Sequence, residues 1–231
     1  MEQILREGLA ALGLSTAGIP SLLRYGELLV EKNQVMNLTA ITEPADVATR
    51  HFLDCAALLS LADFKGKTVA DIGTGAGFPG FPLKILETSI RLTALDSLNK
   101  RIDFLKEVRD DLGLTGVECV HGRAEEFAAD HREGFDIVTS RAVANLRMLS
   151  ELCLPLAKVG GYFLSMKSVD SEEELNEAKG AIKLLGGRIE TVEDYTIPGT
   201  DVVHRLIFIK KIAETPKKYP RAFAKIKKNP L

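Results

Sequence analysis

From Gly66 onward the chain alternates short apolar runs with stretches of helix length, and few folds accept that rhythm. The runs fall at 68–72, 91–95, 117–121, 135–139 and 161–166. Strand and helix in alternation predict a parallel sheet covered by helices on both faces. Two further runs, 188–197 and 202–209, are separated only by Pro198-Gly199-Thr200-Asp201. A parallel pair cannot be joined across so short a turn, so these two runs predict an antiparallel hairpin. Before Gly66 the spacing is helical. Ile4, Leu5, Leu9 and Leu12 recur on one face until Gly13, Pro20 opens a second helix, and Pro44 opens a third. The chain therefore divides into a helical extension (1–62), an α/β core (63–212) and a tail (213–231).

The tail differs in charge from everything before it. The 231 residues carry 30 Lys and Arg against 32 Asp and Glu, a net charge of −2. Residues 210–231 hold eight basic residues and one acid, net +7, so the rest of the chain is at −9. An acidic body with a basic end predicts an anionic partner at that end. With 45% hydrophobic and 27% charged residues, the composition excludes a disordered, collagen-like or disulfide-framework chain. Cys55, Cys119 and Cys153 form no CxxC pair and read as small core residues. His51, His121, His131 and His204 show no metal spacing, so no metal is expected. There is no leader-like N-terminus and no run of 18 apolar residues, so the expected setting is the cytoplasm, without membrane contact.

The strongest local signal is Asp71-Ile72-Gly73-Thr74-Gly75-Ala76-Gly77-Phe78-Pro79-Gly80, between the first predicted strand and a helix. Glycines let the backbone turn sharply there and let a ligand approach closely. Gly75, Gly77 and Gly80 fit the GxGxxG frame of dinucleotide sites. Gly73, Gly75 and Gly77 fit a GxGxG frame with an acid two residues before, as in adenosylmethionine enzymes. A pyrophosphate needs free N–H groups at the helix start, and Pro79 and Pro82 remove two of them. Adenosylmethionine has no phosphate to satisfy. Asp96, ending the second strand, suits ribose hydroxyls in either case. Ala124 and Glu125, in the loop after the third strand, suit an adenine edge; Glu125 also fits plain N-terminal helix charge. Five parallel strands followed by a hairpin have the outline of the class I methyltransferase sheet, a Rossmann-like, mostly parallel sheet of seven strands.

Asn37–Ile41, Arg50–Asp54, the glycine loop, Asp96-Ser97 with Lys100-Arg101, Gly122–Glu126, Thr139–Ala142, Tyr219-Pro220-Arg221 and the terminal Pro230-Leu231 occur in order along nearly the whole chain. Together they resemble the small-subunit ribosomal RNA methyltransferase G family, also called glucose-inhibited division protein B. The resemblance implies methyl transfer from S-adenosylmethionine, leaving S-adenosylhomocysteine, to N7 of guanine 527 of 16S rRNA. The implied partner is 16S rRNA or the small-subunit particle, with a monomeric enzyme. The expected donor-site residues are Gly73, Gly75, Gly77, Phe78, Asp96, Ala124, Glu125 and Arg141. The expected RNA-side residues are Arg50, His51, Arg123, Lys217, Lys218 and Arg221.

The residues agree with the N7 target that the resemblance implies. Amine methylation usually relies on an Asn/Asp-Pro-Pro-aromatic loop after the fourth strand, where this chain has Ser140-Arg141-Ala142-Val143. Carbon-5 methylation of a pyrimidine needs a nucleophilic cysteine, and Cys153 lies in the apolar stretch 152–156. Guanine N7 carries a lone pair and no proton, so positioning suffices and no catalytic acid or base is expected. Two other readings stay open on sequence alone. One is a dinucleotide-dependent oxidoreductase using the GxGxxG frame. The other is a non-catalytic RNA-binding assembly factor on a methyltransferase fold.

Overall fold

The computed structural model describes residues 1–141 and 144–231. Seven strands form one sheet: β1 (Thr68–Ile72), β2 (Arg91–Asp96), β3 (Val117–His121), β4 (Phe135–Arg141), β5 (Ala157–Ser168), β6 (Gly187–Thr196) and β7 (Val203–Lys211). Their order is β3-β2-β1-β4-β5-β7-β6. The first five run parallel, while β7 lies antiparallel between β5 and β6. The expected parallel sheet with a terminal hairpin is therefore present.

The crossovers are helical: α5 (Gly80–Leu86), α6 (Asn99–Asp111), α7 (Ala124–Asp130), α8 (Leu146–Cys153) and α9 (Glu172–Leu184). β1 is buried on both faces, as expected of a central strand between helical layers. Strand order reverses between β1 and β4, where β1 meets β2 on one side and β4 on the other. The loops at the carboxyl ends of these strands border the crevice in which open α/β sheets bind ligands.

The N-terminal helices are part of this core. α1 (Glu2–Ala11) and α2 (Ile19–Met36) precede a continuous helix formed by α3 (Pro44–Asp46), a π-helical stretch (Val47–Leu53) and α4 (Asp54–Leu61). Leu5, Leu22 and Phe52 share one buried cluster with Phe81, Phe104 and Leu164 of the α/β unit. Helices too short to be stable alone are held by burying such faces.

Three local expectations change. The prolines at 216, 220 and 230 predict an irregular tail, yet it is docked on α8 and carries a short helix, α10 (Phe223–Lys228). Tyr219 and Ile226 sit in a second buried cluster with Leu149 and Leu152, because they supply apolar anchors between the lysines. Ser171, whose place before the acidic run Glu172-Glu173-Glu174 predicts a helix cap, makes no cap bond to α9, and its Oγ is buried without a partner among the described residues. Cys55 and Cys153 are buried as expected, whereas Cys119 is only partly so.

Candidate functional site

The glycine loop leaves β1 in a left-handed conformation. Gly73, Gly75 and Gly77 have φ of 67°, 62° and 102°, which L side chains adopt only under strain. A Cβ on Gly77 would stand 2.3 Å from the Tyr25 hydroxyl. That hydroxyl is buried and donates to the Ala76 carbonyl, so α2 braces the loop from below.

Asp71 holds the loop's other end. Its Oδ2 accepts from Thr74 Oγ1 at 2.6 Å and from the Gly80 N–H at 2.9 Å, while its Oδ1 is buried with no partner. Burial outweighs these two bonds and pushes the carboxyl up to about 6.

The start of α5 has no donor left for a pyrophosphate. Gly77 and Phe78 N–H groups bond the Thr74 carbonyl, Gly80 bonds Asp71, Phe81 bonds Gly77 and Leu83 bonds Pro79. Pro79 and Pro82 have no N–H. The dinucleotide reading loses its support here, because the first turn of α5 would offer a diphosphate only engaged donors and two prolines.

Above the loop lies a cavity of about 650 Å³, within the range of small-molecule sites. It brings together Gly73, Gly75, Phe78, Asp96, Ala124, Glu125 and Arg141 of the expected donor set, with the RNA-side pair His51 and Arg123. Gly77 supports the loop from behind and is not in the wall. A Cβ on Gly75 would meet no protein atom closer than 4.0 Å, so that wall stays low by virtue of glycine.

Asp96 Oδ1 accepts from the Leu98 N–H at 2.9 Å, and Oδ2 from the Gly75 N–H at 2.9 Å and Arg101 at 3.2 Å. A carboxylate has about four acceptor positions. Three are taken, which leaves one for a hydroxyl. A low glycine wall, a carboxylate with one free acceptor position, a second carboxylate at Glu125 and a guanidinium at Arg141 fit an adenosine joined to an amino acid.

Arg141 ends β4 and is largely buried. Its guanidinium donates to Asp54 Oδ2 and to the Arg50 carbonyl, both at 3.1 Å, and to His51 Nδ1 at 3.2 Å. It also lies over the Phe78 ring at 4.8 Å. Because a guanidinium only donates, His51 Nδ1 is the acceptor, and Nε2 carries the proton toward Thr39 Oγ1 at 2.9 Å. Burial and the neighbouring Arg141 hold His51 neutral, down to about 4. His51, expected on the RNA side, is not exposed. It is buried, stacked on Phe78 at 4.3 Å, because the π-helical stretch turns it inward.

Asp54 is a hub that local spacing does not reveal. Oδ1 accepts from Tyr195 at 2.9 Å and lies 2.8 Å from His204 Nδ1, while Oδ2 accepts from Arg141. Asp54 raises His204 above its ordinary value.

A second cavity of about 890 Å³ adjoins the first and shares His51 and Arg141 with it. Its far wall includes Lys167 and Glu174, paired at 2.6 Å. Ala142 and Val143, expected in the loop after β4, lie outside the described residues.

The basic tail is less free than its sequence suggests. Lys211 is fully buried and bonds the Leu154 carbonyl and Thr215 Oγ1, both at 2.7 Å. Arg221, expected to face RNA, is spent on buried Glu151. Its Nε and Nη2 reach the carboxylate at 2.8 and 2.6 Å, and its backbone N–H joins them at 2.8 Å. Lys217 and Lys218 are exposed, as are Arg50 and Arg123. Burial pushes the Cys55 and Cys153 thiols up, so neither is a nucleophile at neutral pH. Among the described residues no group of three or more His, Cys, Asp or Glu could hold a metal ion, and no helix is long and apolar enough to cross a membrane.

The sheet order, the glycine loop after β1 and the carboxylate ending β2 define a class I methyltransferase, dependent on S-adenosylmethionine. Solved structures share the fold. TrmN from Thermus thermophilus matches 71% of this chain and 53% of its own at a TM-score of 0.54 and 22% identity. A SAM dependent methyltransferase from Aquifex aeolicus matches 75% and 96%, at 0.54 and 18%.

Sequence relatives are much nearer. The ribosomal RNA small subunit methyltransferase G of Clostridium botulinum (strain Loch Maree / Type A3) is 50% identical over 210 residues, covering 90% of this chain and 88% of its own. Its namesake in Alkaliphilus metalliredigens is 46% identical over 235 aligned positions, covering 100% and 98%. The model of the GidB family, rRNA small subunit methyltransferase G, matches residues 18–201. The chain belongs to that family.

Proposed function

We propose that this enzyme methylates N7 of one guanine of 16S rRNA, guanine 527, in the small ribosomal subunit. The observation that carries the choice of atom is the state of the polar groups around the two joined cavities. His51 has its acceptor nitrogen facing Arg141 and its protonated nitrogen facing Thr39. Asp54 is committed to Arg141, Tyr195 and His204. Ser140 donates to the Ile72 carbonyl at 2.8 Å. Glu174 holds Lys167 and the Leu146 N–H. Each of these groups is already held by at least one partner inside the fold, and none stands unpaired as a general base for a base amine. The arrangement suits a nucleophile that arrives with a lone pair and no proton, as N7 does.

Adenosylmethionine brings an electrophilic methyl carried on a sulfonium. The protein's own part is binding and alignment. Asp96 and Glu125 supply acceptors at one end of the first cavity, and Arg141 supplies a cation at the other. Phe78 presents its ring between them, held in place by His51 and Tyr25. The second cavity takes the guanine. The shared wall of His51 and Arg141 sets its approach, and alignment of this kind is worth several powers of ten in rate. Arg50, Arg123, Lys217 and Lys218 lie exposed to meet phosphate.

The test is transfer of labelled methyl from adenosylmethionine to 16S rRNA of a strain lacking the modification. Naked RNA and small-subunit particles are assayed side by side, and 7-methylguanine is mapped by chemical cleavage. A single cleavage site at guanine 527 is expected. Label recovered on an exocyclic amine or a pyrimidine carbon would overturn the choice of atom.

A further inference from the structure

The basic tail reaches the cavity assigned to the methyl donor. Phe223, the first residue of α10, lines that cavity beside Arg123, Ala124 and Glu125. The Arg123 guanidinium lies over its ring at 5.3 Å. The ring is only partly buried, although its neighbours in sequence are pinned. Tyr219 is 7% exposed and Ile226 is 0% exposed. Arg221 grips Glu151 through three bonds. Arg132 holds the carbonyls of Tyr219 and Pro216 at 2.8 and 3.1 Å, and Arg147 holds that of Pro230 at 2.7 Å. A segment whose task was only to carry charge toward RNA would need none of this fastening. What the fastening achieves is to hold one aromatic face at the mouth of the cavity, beside the loop after β3.

We propose that Phe223 is a donor-binding residue whose ring packs on the adenine of adenosylmethionine, making the tail a wall of the donor site. The proposal rests on reading this cavity as the donor site. An aromatic ring stacks well on a purine, and the Arg123 cation over the same ring orders it further. Loss of such a base–aromatic stack weakens binding by about ten- to a hundredfold.

Calorimetric binding of S-adenosylhomocysteine to the full chain tests this, with thermal melting as a check on folding. Phe223→Ala should bind about ten- to a hundredfold more weakly at a nearly unchanged melting temperature. Phe223→Trp should restore affinity, and Phe223→Leu, which keeps apolar bulk without a ring, should restore little. Equal affinity of the wild type and Phe223→Ala would overturn the proposal, as would full rescue by Phe223→Leu. Failure of the wild type to bind would overturn the donor-site reading itself, and this proposal with it.

Discussion

Arg141 touches Asp54, His51, Phe78 and the Arg50 carbonyl at once, so its substitution cannot be read as loss of a ligand contact alone. Removing it leaves Asp54, 0% exposed, with a buried charge and one partner fewer. Breaking a buried pair from one side costs about 3–5 kcal/mol, so Arg141→Ala should lower the urea midpoint steeply as well as weaken donor binding. Arg141→Lys keeps the charge but loses the planar fork, and should separate the two effects by retaining more stability than affinity. Two nearby groups make opposite demands on pH. Asp71 is raised from 3.8 to about 6, so the folded state holds its proton more tightly. Its contribution is largest below the unfolded value and is lost as pH rises toward 6. His51 is lowered from 6.5 to about 4, so the folded state resists its protonation, and stability is lost as pH falls through that window. Each shift amounts to roughly 3 kcal/mol, and over about pH 4–6 they oppose one another. Asp71→Asn should therefore make the protein more sensitive to acid between about pH 6 and 4 than the wild type. Urea midpoints at the two pH values measure this, and an unchanged pH slope would refute the opposed pair.

The glycine loop works only because an element far away in sequence supports it. Tyr25 on α2 bonds the carbonyl of Ala76, 51 positions later. Tyr25→Phe would leave that buried acceptor unsatisfied, at a cost of about 1–3 kcal/mol. Gly77→Ala should do more damage, since its Cβ would meet the Tyr25 hydroxyl and Leu105 at 2.3 and 2.8 Å with φ at 102°. A melting temperature within a degree of wild type for Gly77→Ala would refute this account of the loop. These contacts also show what the sequence made legible. The strand–helix alternation, the hairpin and the loop's glycines were readable because their chemistry depends on neighbours a few positions apart. Asp96, Ala124 and Glu125 followed because strand ends in such a sheet converge on one crevice. Asp54 did not, because its partners Tyr195 and His204 lie 141 and 150 positions away. A trace was present for other hidden partnerships. Tyr25 stands on a buried face with Leu22, Leu28 and Leu29, and Glu151 is a single acid in the apolar stretch around α8. A polar group in an apolar row calls for a partner, but only the fold says which one. The same reason hid the π-helical stretch, whose extra residue per turn points His51 at Phe78 rather than at solvent.

Over the whole molecule, the split between an acidic body and a basic end takes on a different meaning once the tail is docked. Lys211 and Arg221 are spent internally, on Thr215 and the Leu154 carbonyl and on Glu151. The lysines left exposed are Lys217, Lys218, Lys225, Lys227 and Lys228. They are carried by the same segment that places Phe223 at the cavity mouth, so anchoring and charge are interleaved residue by residue. Two alterations should then behave differently. Ending the chain after Ala213 removes Thr215, Tyr219, Arg221 and Ile226, which strips buried Glu151 of Arg221 and buried Lys211 of Thr215. It should cost several kcal/mol of stability and weaken S-adenosylhomocysteine binding along with RNA binding. Changing the five exposed lysines to Gln leaves every anchor in place. Stability and S-adenosylhomocysteine affinity should hold, while RNA affinity falls and its salt dependence flattens by about 0.7–0.9 for each phosphate no longer neutralised. The discriminating measurement is RNA affinity against salt concentration for both forms, beside calorimetric binding of S-adenosylhomocysteine. If the five-lysine variant keeps the wild-type salt slope, the exposed charge of the tail does not meet the RNA backbone. The attraction would then have to come from exposed basic residues of the body, such as Arg50 and Arg123.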